Sequence, residues 1–284
     1  MAQRVQLSEF GYLYGQTFRQ VTRVKLWIPL LVQAFVMLIL ALMHLYIFSP
    51  IIGPIIRAWT GLFRPELAAA FFHYPAQFIF MPYFFGQAQM LVNIFIEAFL
   101  FGIVIDLFLA LYHGRKPVFM TSVGTALWRY FQLMLVWFVI LGVLYLINTY
   151  FFDIVENVFG YSLQAAPRRR VGAEFSLRAI TVVVYAACIF ILPSIMAGAG
   201  SWINRIRRGF AVAFRHPFVA IGLVLIPYLV GFLPSWALSN ASTVVDTFSP
   251  DLVFFLILIS IGLDVILNFF MLGTAVKFYM DQST

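Results

Sequence analysis

The chain has 284 residues, of which 63% are hydrophobic and only 10% charged. Its 18 Lys and Arg and 11 Asp and Glu cannot cover a water-soluble globule of this length, which excludes an ordinary soluble domain. The net charge of +7 is scattered between apolar runs, so it speaks for membrane orientation and anionic headgroups and against nucleic acid as a partner. The expected fold class is all-α, a polytopic transmembrane bundle forming one integral membrane domain over 1–284.

Residues 8–25 predict a short helix with Phe10, Leu13, Tyr14 and Thr17 on one face and Gln16, Arg19 and Arg23 on the other. A first span follows at about 26–48. At 1.5 Å per residue it crosses a hydrocarbon core of roughly 30 Å, and it is too long for the apolar region of a cleavable signal. Residues 49–86 then hold five prolines among Trp59, Phe71, Phe72, Phe78 and Phe80, a load that a water-exposed loop would not carry. One or two short interfacial helices around 55–72 are expected, then an extended piece over 73–82 on the outer face.

The second span, about 87–112, carries Gln89, Asn93 and Glu97 at i, i+4 spacing on one face, with Asp106 nearly opposite. A weakly amphipathic stretch over 118–129 leads into a third span at about 130–150. An outer loop over 151–175 holds Arg168-Arg169-Arg170. The fourth span, about 176–200, is expected to kink at Pro193. Cys188 within it is the one cysteine and has no intrachain disulfide partner.

Residues 203–215 form the sharpest amphipathic pattern. Ile203, Ile206, Phe210, Ala213 and Phe214 share a stripe, Arg205, Arg208 and Arg215 lie opposite, and Arg207 sits on the border. That is the pattern of an interfacial helix with its basic face in water. Spans five (about 217–238) and six (about 251–278) complete the set.

Arg4, Arg19, Arg23, Lys25, Arg115, Lys116, Arg129, Arg205, Arg207, Arg208, Arg215 and Lys277 fall on one side of this topology. Arg57, Arg64, Arg168, Arg169, Arg170 and Arg178 fall on the other. The excess favours a multi-pass protein of the cytoplasmic (inner) membrane with both termini in the cytoplasm.

An aromatic–Arg pair recurs before spans one, three and five, as Phe18-Arg19, Trp128-Arg129 and Phe214-Arg215, each preceded by Gly15, Gly124 or Gly209. The recurrence suggests three pseudo-repeats, 8–113, 114–200 and 201–284, each a surface helix and a hairpin of spans. Three independent membrane borders with interfacial aromatics are the alternative. The stretch Gly209-Phe-Ala-Val-Ala-Phe-Arg-His-Pro-Phe-Val-Ala-Ile-Gly222 resembles a broad group of uncharacterised prokaryotic six-span membrane proteins. That group includes the membrane domain of some glycerophosphodiester phosphodiesterases, and the resemblance is strongest over about 200–240. The catalytic domain of those enzymes has no counterpart here, so the resemblance implies a fold and no activity.

Phosphate-cradling, zinc-protease, paired-cysteine and nucleophile-elbow motifs are missing. No catalytic residue, cofactor or metal is expected. Above background stand acids at membrane depth. Asp264 in span six is flanked at i−4 and i+4 by Ser260 and Asn268, matching the Gln89-Asn93-Glu97 stripe of span two. A buried acid costs about 2.5–3.5 kcal/mol on insertion scales, so neither should face lipid. If the stripes meet, they form either a polar clasp between helices or a proton or cation path. In the path, Glu97 and Asp264 share a proton and Asp106 serves as relay. Arg19, Arg23, Arg129, Arg205, Arg207, Arg208 and Arg215 are candidates to dock lipid headgroups or a partner.

The favoured function is a non-catalytic accessory subunit or lipid-contacting scaffold, partnered by membrane lipids, by anionic headgroups on the cytoplasmic side and by other membrane subunits. The competing reading is a small proton- or cation-coupled transporter or channel using Glu97 and Asp264.

Overall fold

The computed structural model describes residues 7–159, 167–198 and 200–283, and all regular structure among them is helical. A chain this apolar leaves its backbone few alternatives. Without water, each N–H and C=O must bond within its own segment, which a helix does.

In chain order the helices are α1 (Leu7–Phe18), α2 (Val24–Leu45), α3 (Ile52–Phe63), α4 (Pro65–Phe71) and α5 (Ala76–Val92). A π-turn at Asn93–Glu97 joins α5 to α6 (Ala98–Tyr112). Then come α7 (Phe119–Trp128), α8 (Tyr130–Phe159), α9 (Pro167–Cys188), α10 (Ile191–Ala197) and α11 (Trp202–Arg215). The last three are α12 (Pro217–Ser239), α13 (Ala241–Thr247) and α14 (Asp251–Ser283). Among the described residues, six stretches are long and apolar enough to cross a membrane: Val24–Leu45, Ala76–Tyr112, Tyr130–Val158, Val171–Ala197, Pro217–Ser239 and Asp251–Gln282. The chain is a multi-pass membrane protein.

Helix α14 forms the axis of the bundle, packing against α1, α2, α5, α6, α12 and α13. Its Phe269 ring stacks on Trp27 at 4.2 Å and meets Phe108 edge-on at 5.4 Å. The short helices α1, α7 and α11 gather near the C-terminal half of α14, at what we term the basic end. Helices α3, α4 and α13 lie at the other, aromatic end. One apolar core fills each half. Phe101, Phe108 and Phe269 centre the first, and Phe71, Phe78 and Phe84 the second.

Several expected boundaries move. The piece expected to be extended over 73–82 is helical from Ala76, with Pro82 inside α5, so span two is 37 residues long and begins well before residue 87. Burial explains the difference, since Phe78, Met81 and Phe84 are fully enclosed and an extended backbone there would bury unpaired polar groups. The Gln77 amide is enclosed as well. It donates to His44 O at 3.1 Å and Leu45 O at 2.9 Å, closing carbonyls that the end of α2 leaves open. The expected loop over 151–175 is largely helix, because α8 runs to Phe159 and α9 begins at Pro167.

Span four breaks at Ile189–Phe190 and not at Pro193. A prolyl ring clashes with the carbonyl four residues back, here Ile189. Pro193 then sits in the first turn of α10, where its missing N–H removes no intrahelical bond. Residues Arg4 and 160–166, and the side chains of Arg168 and Arg170, lie outside the described residues.

Candidate functional site

The polar residues of spans two and six meet. A chamber of about 300 Å³ is lined by Asn93, Glu97, Asp264 and Asn268, together with Gln33, Gln89 and Tyr185. Every one of the six spans contributes to its wall: Gln33 from α2, Glu97 from the π-turn, Trp137 from α8, Tyr185 from α9, Gly231 from α12 and Asp264 from α14. Gln33, Glu97, Tyr185, Gly231 and Asp264 each fall in the middle third of their spans. The chamber therefore sits between the two apolar cores, at mid-bundle.

Local backbone chemistry places these groups. In the π-turn the Ala98 N–H bonds Asn93 O, five residues back instead of four. Such a turn presents side chains that a regular helix would rotate away, and it recurs at functional sites. The Tyr130 hydroxyl donates to Phe95 O at 2.9 Å, supplying a donor within the disturbed turn. Across the chamber α12 carries Pro227 and Pro234 inside the helix, and both are buried. Each lacks the N–H that would bond the carbonyl four residues earlier, which makes α12 the easiest span to bend.

A second concavity of about 630 Å³ lies toward the aromatic end, between α5, α12, α13 and α14. It shares Gln89, Gly231, Ser235 and Asp264 with the chamber, and neither is a sealed void. Ser260 lines this vestibule and not the chamber, so Asp264 stands between the two. Toward the basic end Phe101, Phe108 and Phe269 are buried and close the bundle.

The chamber's polar groups are only partly closed on one another. Glu97 is 5% and Gln33 6% exposed. The Gln33 amide reaches the Glu97 carboxyl, yet Glu97 Oε2, Gln33 Oε1 and Asn93 Oδ1 have no hydrogen-bond partner. Asp264 is within electrostatic reach of Glu97, and Tyr185 of both acids. The Trp137 indole N–H on the same wall is also unpartnered. At another wall the Arg178 guanidinium sits 4.9 Å from the Phe232 ring centroid. Among the described residues no three His, Cys, Asp or Glu side chains come together as metal ligands.

Asp106, expected as a relay on the cytoplasmic side, does not line the chamber. Nine residues past Glu97, it lies on the opposite side of the helix, where its charge acts on Arg129.

Two of the seven basic candidates are also reassigned. Arg129 donates to Ile195 O and, at 3.5 Å, to Gly198 O, while Arg205 donates to Ile195 O at 3.2 Å. Both guanidinium groups thus cap the C-terminal end of α10, supplying donors to carbonyls without helical partners. Burial, then the facing Arg205 charge, pull Arg129 below its ordinary pKa, against the opposing pull of Asp106. Ser194 Oγ donates to Arg205 O at 2.7 Å and accepts from the Tyr279 hydroxyl at 3.0 Å. Gly209 completes this joint. A Cβ there would come within 2.6 Å of Ile191 Cα.

The stripe of α11 is accordingly used in part against protein. Gly209 and Ala213 are buried, and Ile206 and Phe210 pack on the core, while Ile203 and Phe214 stay exposed. Arg19, Arg23, Arg207, Arg208 and Arg215 remain at the surface.

Sequence reasoning passed over Gln33, Trp137, Arg178, Tyr185 and Tyr228 as lining residues. Gln33 had a legible signal, a single amide inside an apolar span. The aromatic residues had none, since rings are everywhere in this chain. Compared with family models, with curated proteins and with solved structures, the chain matches none of them.

Proposed function

We propose that the protein is a small proton- or cation-coupled permease, without catalytic activity, whose Glu97 and Asp264 carry the translocated charge. The observation that carries this reading is the mid-bundle chamber walled by all six spans and lined by Glu97, Gln33 and Asn93, each of which has a buried oxygen without a hydrogen-bond partner. A clasp that merely held helices together would close those groups on each other, because an unpaired buried acceptor costs about 1–3 kcal/mol. A site that receives something from outside leaves them open.

This arrangement supports transport over the accessory-subunit or scaffold role that composition alone favours. Transporters place substrate near the bilayer midplane and build the site from interrupted helices. The π-turn in span two, the break in span four and the two prolines of span five are such interruptions. The vestibule gives a route to the chamber from the aromatic end.

The basic residues collected at one end support an inner-membrane setting with that end and both termini in the cytoplasm. Exposed Arg19, Arg23, Arg207, Arg208 and Arg215 then face anionic headgroups. The order short helix, span, span, met at α1, α7 and α11, supports three pseudo-repeats. The resemblance to the six-span group, strongest over about 200–240 and weak elsewhere, lends no activity.

The test is flux. Protein in liposomes loaded with a pH-sensitive dye should take up protons under an imposed potassium–valinomycin potential, and Glu97→Gln and Asp264→Asn should abolish uptake. Native protein that behaves like empty liposomes would overturn the reading.

A further inference from the structure

The chamber's unpartnered atoms define what it lacks. Three of them, Glu97 Oε2, Gln33 Oε1 and Asn93 Oδ1, are acceptors, and two belong to side chains more than nine-tenths buried. A second carboxyl, Asp264, lines the same chamber within electrostatic reach of Glu97. A site with several acceptors and a negative charge is completed by a positively charged donor with several N–H groups. A primary ammonium has three donors and no acceptor. The rest of the lining is mixed, with aliphatic side chains such as Val224, Leu267 and Met271 and with Arg178 held over the Phe232 ring; among it Tyr185, Tyr228 and Trp137 are rings that attract an organic cation through their faces. A hydrated inorganic ion gains little from them. The unpartnered Trp137 N–H adds the complementary demand, an oxygen on the ligand.

We propose that the chamber binds a small organic primary ammonium compound bearing an oxygen acceptor, with its ammonium against Glu97, Asp264, Gln33 and Asn93 and its oxygen toward Trp137. The volume of about 300 Å³ stands at the lower limit of small-molecule sites, which suits a ligand of a few heavy atoms. The ligand reaches the chamber from the vestibule past Asp264 and Ser235. This assignment deepens the permease reading by naming its substrate class, but binding itself is measured without flux.

The experiment is calorimetric titration and thermal unfolding of the detergent-solubilised full chain with ethanolamine as the probe. Tetramethylammonium and sodium at equal ionic strength are the comparisons. Ethanolamine should bind and raise Tm, because a ligand taken only by the folded state stabilises it. Tetramethylammonium, with the same charge and no N–H, should do neither. Glu97→Gln and Asn93→Leu should each weaken ethanolamine binding by about tenfold or more, the scale of a lost hydrogen bond to a charged group. Their ligand-free Tm reports whether they fold.

A shift of equal size with tetramethylammonium would overturn the ammonium assignment, and so would sodium binding without ethanolamine binding. No effect of any cation on folded native protein would overturn it too. Ethanolamine binding without proton flux would sink the permease reading alone. Flux without ethanolamine binding would sink this assignment alone.

Discussion

The α10–α11 joint and the mid-bundle chamber both gather polar side chains among apolar helices, and they treat them in opposite ways. At the joint, Arg129 and Arg205 end on backbone carbonyls, and Ser194 both donates and accepts, leaving only the Arg205 Nε without a partner. At the chamber, three acceptor oxygens, one of them from Glu97, and one indole N–H have no partner, on side chains that line it together with Asp264. A polar group whose partner is supplied by the fold is there to hold helices. A polar group the fold leaves open in a concave site is there to meet something else. On the permease reading the contrast separates structural from functional polarity without reference to residue type, with arginine as the structural partner and asparagine as the ligand-facing one.

The contrast can be broken by substitution. The largest loss is expected for Gly209→Val, because the added side chain meets backbone at Ile191 that cannot swing aside. Overpacking of this kind costs about 1–3 kcal/mol or more, and the variant should lose most of its folded yield in size-exclusion chromatography. Ser194→Ala comes next. It removes both hydrogen bonds of the Ser194 hydroxyl and strands that of Tyr279, for a loss of about 1–3 kcal/mol that a lowered Tm in detergent would report.

At the chamber the sign should differ. Asn93→Leu deletes an unpartnered acceptor and no hydrogen bond, so ligand-free stability should stay within about 0.5 kcal/mol of native or rise. A loss as large as that of Ser194→Ala would make the chamber a clasp after all and erase the distinction. The smallest effect on stability belongs to the double variant Arg207→Gln, Arg208→Gln, whose side chains are exposed on α11. Its Tm should be unchanged, while anionic lipid retained on purification, measured by mass spectrometry, falls severalfold on a scale of about 1 kcal/mol per basic residue.

How much of this was legible beforehand varies from residue to residue. The Gln89-Asn93-Glu97 and Ser260-Asp264-Asn268 stripes were readable because a helix converts spacing into facing. That the two stripes would share one chamber was not readable, because it depends on how spans two and six cross. The i, i+4 rule itself was bent by the π-turn. Asp106 was read as polar and intramembrane, which it is, but its place beside Arg129 follows from the packing of α6 on α7. Arg129 and Arg205 looked like their neighbours Arg207 and Arg208. Only the termination of α10 at Ala197, which leaves the Ile195 and Gly198 carbonyls to them, assigned them a structural task.

By itself the sequence determined that the chain is helical, that it crosses a membrane six times and roughly where each crossing lies. Solvent forces those outcomes, since an apolar run in lipid must satisfy its backbone locally, and local bonds can be read from a local string. The tertiary structure alone decided which polar atoms find partners, where the chamber forms and which arginines remain at the surface. Those outcomes depend on distances between residues far apart in the chain, such as Arg129 and Ile195 or Gln33 and Glu97, and no spacing rule encodes them.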